Sequence, residues 1–137
     1  MPCSGSRVRS SKDIRADHLL VVEDDVDARE LVAGSLRDDG YNVEEAGDGR
    51  DALAAIIRDR PSLLITDCNM PNMTGNELVA RLALDERLRS IPTIVVSTQK
   101  PSSLPDNVIV FLTKPFKMQQ LRAAVRDCLA RHATPTA

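Results

Sequence analysis

The sequence predicts an α/β fold, a doubly wound parallel sheet with helices on both faces. Three features of the chain point there. Short runs of aliphatic and β-branched residues recur, each bounded by turn formers or acidic residues, as in strands buried on both faces. Segments with helical apolar spacing separate these runs, so strand and helix alternate. Right-handed crossovers between parallel strands then distribute the helices over the two faces.

The first strand is His18 to Val22 (HLLVV), which runs straight into Glu23-Asp24-Asp25. A helix from Val26 to Asp39 comes next, with Leu31, Val32, Ser35 and Leu36 as its stripe and Gly40 as its stop. Tyr41 to Ala46 alternates as a second strand. Asp48 caps the next helix, whose apolar face is Ala52, Leu53, Ile56 and Ile57 and which Arg60-Pro61 ends. The third strand is Leu63 to Asp67, with Cys68-Asn69-Met70-Pro71 as a loop behind it and Asn72 to Gly75 as a turn. A helix from Asn76 to about Asp85 turns Leu78, Val79 and Leu82 inward. Pro92 precedes a fourth buried strand, Thr93 to Ser97. Between Thr98 and Asn107 stand Pro101 and Pro105, and no helix of normal length fits between them. Val108 to Leu112 is the fifth strand. Lys117 to Arg131 is the last helix, with Leu121, Val125, Cys128 and Leu129 on one face. Residues 1–17 read as a charged, Ser-rich tail, residues 18–131 as one domain, and residues 132–137 as a short C-terminal tail.

The chain has 137 residues, which favours a single core. Its aromatic residues are Tyr41, Phe111 and Phe116, so that core is built from Leu, Val, Ile and Ala. A net charge of -2 gives no electrostatic reason to expect a nucleic-acid partner. Cys3, Cys68 and Cys128 are odd in number and lack CxxC spacing, which argues against a disulfide framework or a zinc site. A reducing, cytoplasmic setting is the expectation. No signal peptide and no membrane-spanning stretch is read in the sequence.

In open parallel sheets, ligands bind beyond the carboxyl ends of the strands. The residues at or just past those ends are Glu23 and Asp24, Asp67, Ser97 and Lys114. Three carboxylates packed together would raise one another's pKa values, and a hard divalent cation such as magnesium would relieve the conflict. Lys114 adds a positive charge and Ser97 a hydroxyl donor. Metal, cation and donor around an anionic oxygen are the parts needed to hold a phosphoryl group, and a carboxylate can itself accept one.

The motifs resemble a response-regulator receiver domain of two-component signalling. They are Leu20-Val21-Val22-Glu23-Asp24-Asp25, Ile65-Thr66-Asp67 with Met70-Pro71-Asn72-Met73-Thr74-Gly75, Val95-Val96-Ser97, and Lys114-Pro115-Phe116. They stand in family order over roughly His18 to Arg131. The resemblance implies a CheY-like, flavodoxin-like five-stranded sheet of order 2-1-3-4-5. It makes Asp67 the phosphoacceptor. It gives Mg²⁺ the ligands Asp24, Asp67 and the backbone carbonyl of Asn69, with Glu23 completing the acidic pocket. Ser97 and Lys114 would each bond a phosphoryl oxygen, the Lys114-Pro115 bond would be cis, and Phe111 would be the aromatic that moves inward with Ser97 on activation. The implied donor is a phosphohistidine on a histidine kinase or histidine phosphotransfer protein, and the output is altered binding to a downstream protein. The protein would then be a phosphoacceptor switch that assists its own phosphorylation and dephosphorylation, and not an enzyme with turnover.

Some features depart from the family pattern. Glu23 replaces the commoner Asp, and Ser97 stands where Thr is usual. Thr98 is bulkier than the residue often found there, so slower phosphoryl exchange is expected. The segment from Thr98 to Asn107 is short and carries both prolines, so the family's fourth helix should be short or missing. That helix belongs to the face through which such domains often form homodimers and signal. Output would then fall to the first helix, the last helix or the loop. No output domain follows residue 131, so the domain would act on another chain, or else it is a piece of a larger kinase. The alternative function is a receiver-like binding module that is never phosphorylated. An aspartate-nucleophile phosphatase wants a second Asp where Asn69 stands, and Asn69 cannot transfer the proton. His18 and His132 read as solvated, Phe116 as core, and a redox role for Cys68 is not expected.

Overall fold

The structure, a computed structural model, describes residues 17–68, 73–98 and 108–132. Its elements in chain order are β1 (His18–Val22), α1 (Val26–Asp38), β2 (Asn42–Ala46), α2 (Gly49–Arg58) and β3 (Leu63–Asp67). Then come α3 (Gly75–Ala83), β4 (Thr93–Ser97), β5 (Val108–Thr113) and α4 (Met118–His132). The strands form one parallel sheet of order β2-β1-β3-β4-β5, the predicted topology. The segment expected to lack a regular helix falls at residues 99–107, outside the described residues, as do Asn69 and the N-terminal tail to residue 16.

Strand side chains alternate between two cores, as the period of two requires. Leu20, Val22 and Leu64 pack with Ala52, Ile56, Leu78 and Leu82 of α2 and α3. Leu19, Val21, Leu63, Ile65, Ile94 and Val96 pack with Leu36 of α1 and with Leu121, Val125 and Cys128 of α4. Burial raises the Cys128 thiol pKa, so this sulfur is a packing group and not a thiolate. Neither Cys68 nor Cys128 is in a disulfide.

Helix boundaries are set by capping chemistry. The Asp25 carboxylate accepts from Ala28 N–H at 3.0 Å, and the Asp48 carboxylate accepts from Asp51 N–H at 2.8 Å. Thr74 and Glu77 form a reciprocal capping box on α3, one residue earlier than the Asn76 start expected. At the end of α1, Gly40 has φ of +98°, and Gly40 and Tyr41 donate back to Arg37 and Leu36. This Schellman turn absorbs Tyr41, so β2 begins at Asn42 and not at Tyr41.

Two residues assigned inward face solvent. Leu31 is 66% exposed and Ile57 is 64% exposed. The buried line of α1 runs through Ala33 and Leu36, and that of α2 through Ala52, Ala55 and Ile56. At about 100° per residue, Leu31 falls nearly opposite the line through Ala33 and Leu36, and Ile57 falls about a quarter turn beyond Ile56. His18 is not simply solvated. Its Nε2 lies 3.5 Å from Glu44 Oε1 and 3.9 Å from Asp59 Oδ2, with the side chain 21% exposed. Phe116 packs against the core on the α1 and α4 side, as expected.

The start of α3 sits hard against the end of β3. A Cβ on Gly75 would lie 2.2 Å from the Asp67 carbonyl oxygen and 2.9 Å from Cys68 Cα, both backbone atoms. At Gly34, inside α1, a Cβ would meet nothing within 4 Å. Gly75→Ala should therefore destabilise by roughly 1–3 kcal/mol through overpacking. Gly34→Ala should stabilise by about 0.5–1 kcal/mol through helix propensity. Urea unfolding of the two variants beside the parent checks both signs.

Candidate functional site

The carboxyl ends of β1, β3, β4 and β5 lie along one edge of the sheet, and the residues at and just beyond those ends assemble the site. After β1, Glu23 N–H donates to Ala46 C=O at 3.1 Å and extends the ladder to β2. Its own carbonyl accepts from Arg29 Nη1 at 2.9 Å, so α1 clamps the backbone from the other side. The Glu23 carboxylate is thereby turned inward. Its Oε2 accepts from Asp25 N–H at 3.1 Å and its Oε1 from Lys114 Nζ at 3.0 Å.

After β3, the chain is held on both sides. Thr66 Oγ1 donates to the Asp67 carbonyl, Cys68 N–H to Val96 C=O, and Gly75 N–H to Cys68 C=O. Asp67 Oδ2 accepts from Lys114 Nζ at 3.1 Å. Lys114 reaches both carboxylates because its backbone N–H donates to Ser97 C=O at 2.8 Å, which ties the end of β5 to the end of β4. The Lys114-Pro115 peptide bond is cis.

Glu23, Asp24 and Asp67 each offer a carboxylate oxygen, and these atoms all lie within 4.8 Å of one another. Glu23 and Asp67 are buried and Asp24 is exposed, so the cluster has a protected floor and an open rim. Burial raises the Glu23 pKa above the ordinary carboxylate value, against the pull of the Asp25 N–H and Lys114, with the Asp67 charge and Asp24 adding to the rise. Burial pulls the Lys114 pKa down, but its bonds to Glu23 and Asp67 outweigh this and hold the ammonium above the usual lysine value. Among the described residues, three carboxylates therefore gather around the Lys114 ammonium. The surplus negative charge and the hard oxygen donors suit a divalent cation of the magnesium type.

Four residues read from the sequence thus converge: Glu23, Asp24, Asp67 and Lys114. Ser97 is on the same edge, 2% exposed, in register with Thr113. Phe111 is half-buried and packs with Cys68, Val79 and Val95. Asn69 lies outside the described residues. Arg29 and Gly75 hold the site together without having been legible as site residues. No local motif marks Arg29, and Gly75 read as a turn glycine although it is required by close backbone approach.

The comparisons with known proteins agree with this geometry. The model of the response regulator receiver domain family matches residues 19–126. The response regulator MprA of Mycolicibacterium vanbaalenii is 35% identical over 122 residues, covering 85% of this chain and 52% of that protein. The chain therefore spans about half the length of that relative. The chemotaxis protein CheY of Pseudomonas aeruginosa is 32% identical over 119 residues, covering 82% of this chain and 96% of CheY. Among solved structures, the signal receiver domain of a histidine kinase from Syntrophus aciditrophicus superposes with a TM-score of 0.80 at 29% identity, covering 89% of this chain and 96% of that one. The chain belongs to the response regulator receiver domain family.

Proposed function

We propose that Asp67 accepts a phosphoryl group from a phosphohistidine and that the modified domain changes its binding to a partner protein. The observation that carries this reading is the double contact of Lys114 Nζ, 3.0 Å from Glu23 and 3.1 Å from Asp67, beside the exposed Asp24. An Asp67 oxygen attacks the phosphorus, an acyl phosphate bond forms, and the phosphorus–nitrogen bond breaks to release the donor's imidazole. Asp24, Asp67 and the Asn69 carbonyl would hold Mg²⁺, with Glu23 behind them. When bound, Mg²⁺ neutralises charge on the phosphoryl oxygens.

This chain's own groups do the rest. Lys114 can exchange an Asp67 oxygen for a phosphoryl oxygen without losing Glu23, so its charge stays fixed during transfer. Ser97 would donate its hydroxyl to a second phosphoryl oxygen. That contact would draw the end of β4 toward the site, and Phe111, against Val95 of the same strand, would move with it. The switch is thus a two-state shift biased by one covalent group.

Incubation with acetyl phosphate and Mg²⁺ should add the mass of one phosphoryl group to the intact protein. Asp67→Asn and EDTA should each abolish the adduct, and an adduct that survives both would overturn the assignment. Lys114→Ala should keep the fold and divalent-cation binding but slow phosphorylation by roughly 10²-fold, the scale of one removed oxyanion contact. Rapid-quench labelling of that variant beside the parent checks it.

A further inference from the structure

Two arginines of α1 share one glutamate of β2. Arg29 Nε donates to Glu45 Oε1 at 3.2 Å, and Arg37 Nη1 donates to Glu45 Oε2 at 3.0 Å. Each arginine also places a second nitrogen on a backbone carbonyl, and there the two differ. Arg37 Nη2 donates to Val43 C=O at 2.7 Å, where β2 pairs with Leu19, away from the acidic edge. Arg29 Nη1 donates to Glu23 C=O at 2.9 Å, at the strand end that carries the acids. The Arg29 side chain is 18% exposed and that of Arg37 47%, so solvent screens the Arg29 pairing less.

The Glu23 carbonyl matters because its peptide unit joins Glu23 to Asp24. The N–H of Glu23 is already held by Ala46 C=O at 3.1 Å. With N–H and carbonyl both held, the direction of the Glu23 side chain is set. Its Oε1 then meets Lys114 Nζ at 3.0 Å, and its Oε2 meets Asp25 N–H at 3.1 Å. Without Arg29 that peptide plane can turn, and both acids turn with it. Gly47 leaves the guanidinium its place, since a Cβ there would lie 3.2 Å from Arg29 Nη1. Ion pairing for stability alone does not call for this arrangement, because pairs near the surface contribute little and Arg37 already serves Glu45. A planar guanidinium holds a carboxylate and a carbonyl in fixed relation, which the single nitrogen of a lysine does not.

We propose that Arg29 is a positioning residue for the phosphoryl-transfer site and that Glu45, on the edge strand, aims it. Glu45 fixes the guanidinium, the guanidinium fixes the Glu23–Asp24 peptide, and Glu23 fixes Lys114. No bond forms or breaks in Arg29 or Glu45. The inference deepens the phosphoacceptor reading and rests on it only where labelling rate is the readout.

Arg37 supplies the control, with the same charge and the same partner but its second nitrogen on Val43. Arg29→Lys, Glu45→Ala and Arg37→Lys are compared in the intact chain. Without metal, the Lys114 Hε–Cε cross-peak in NMR spectra should move in Arg29→Lys and Glu45→Ala and stay in Arg37→Lys. At saturating acetyl phosphate with Mg²⁺, the labelling rate should fall about tenfold in the first two, the scale of a lost outer-shell partner, and hold in Arg37→Lys. A merely structural pairing would make the two lysine variants behave alike. An unmoved cross-peak in Arg29→Lys, or equal shifts in both lysine variants, would overturn the proposal. An unmoved cross-peak in Glu45→Ala would overturn the part given to Glu45. A moved cross-peak with an unchanged labelling rate would overturn the bearing of Arg29 on transfer. Should Arg29→Lys not fold, Gly47→Ala decides in its place by the same cross-peak, because it crowds the guanidinium with every charge retained. The expected shifts in a protein that acetyl phosphate cannot label would sink the phosphoacceptor reading and support the positioning role.

Discussion

One ammonium, Lys114 Nζ, stands between two buried carboxylates that would otherwise repel each other. Glu23 arrives from β1, Asp67 from β3 and Lys114 from β5. Only a sheet in which β1, β3, β4 and β5 are parallel and adjacent brings these three ends to one edge. The ion triad therefore depends on the fold. The topology makes the contact available, and the contact offsets part of the cost of placing acids at 8% exposure. The offset is incomplete, because Asp24 adds a third carboxylate to the same cluster. That residual charge is what a divalent ion would answer.

The triad holds its geometry because backbone contacts lock each strand end. Arg29 fixes the Glu23 carbonyl, Thr66 the Asp67 carbonyl, and the Lys114 N–H the Ser97 carbonyl. Gly75 lets α3 approach the Asp67 backbone more closely than any side chain would allow. The acids and the lysine are thus mounted at strand ends whose backbone is hydrogen-bonded to neighbouring elements, where a site that must orient reacting oxygens belongs. Ser97 joins this frame through the same hydrogen bond that positions Lys114, so a pull on its hydroxyl would be felt along β4.

Much of this was legible in the sequence, and what was not has physical reasons. Leu63 to Ile65 and Ile94 to Val96 are unbroken apolar runs in strands buried along their whole length, as in a sheet covered on both faces. The strand ends then named Glu23, Asp24, Asp67, Ser97 and Lys114 directly. Helix faces were less legible. Leu31 and Ile57 belong to apolar stripes that are rotated from the line each helix buries, and periodicity alone does not reveal how the helix is turned on the sheet. His18 read as solvated because its neighbours Glu44 and Asp59 are distant in sequence. Arg29 and Gly75 escaped notice for a like reason, since their roles depend on backbone atoms of other elements.

On this account Asp67, and no other carboxylate of the cluster, takes the phosphoryl group. Borohydride reduces an acyl phosphate to the corresponding alcohol and so marks the acceptor in place. Protein treated with acetyl phosphate and Mg²⁺, reduced, digested and mapped by peptide mass should carry homoserine at position 67 and unmodified acids at Glu23 and Asp24. Reduction at Glu23 or Asp24, or labelled protein with Asp67 unchanged, would contradict it.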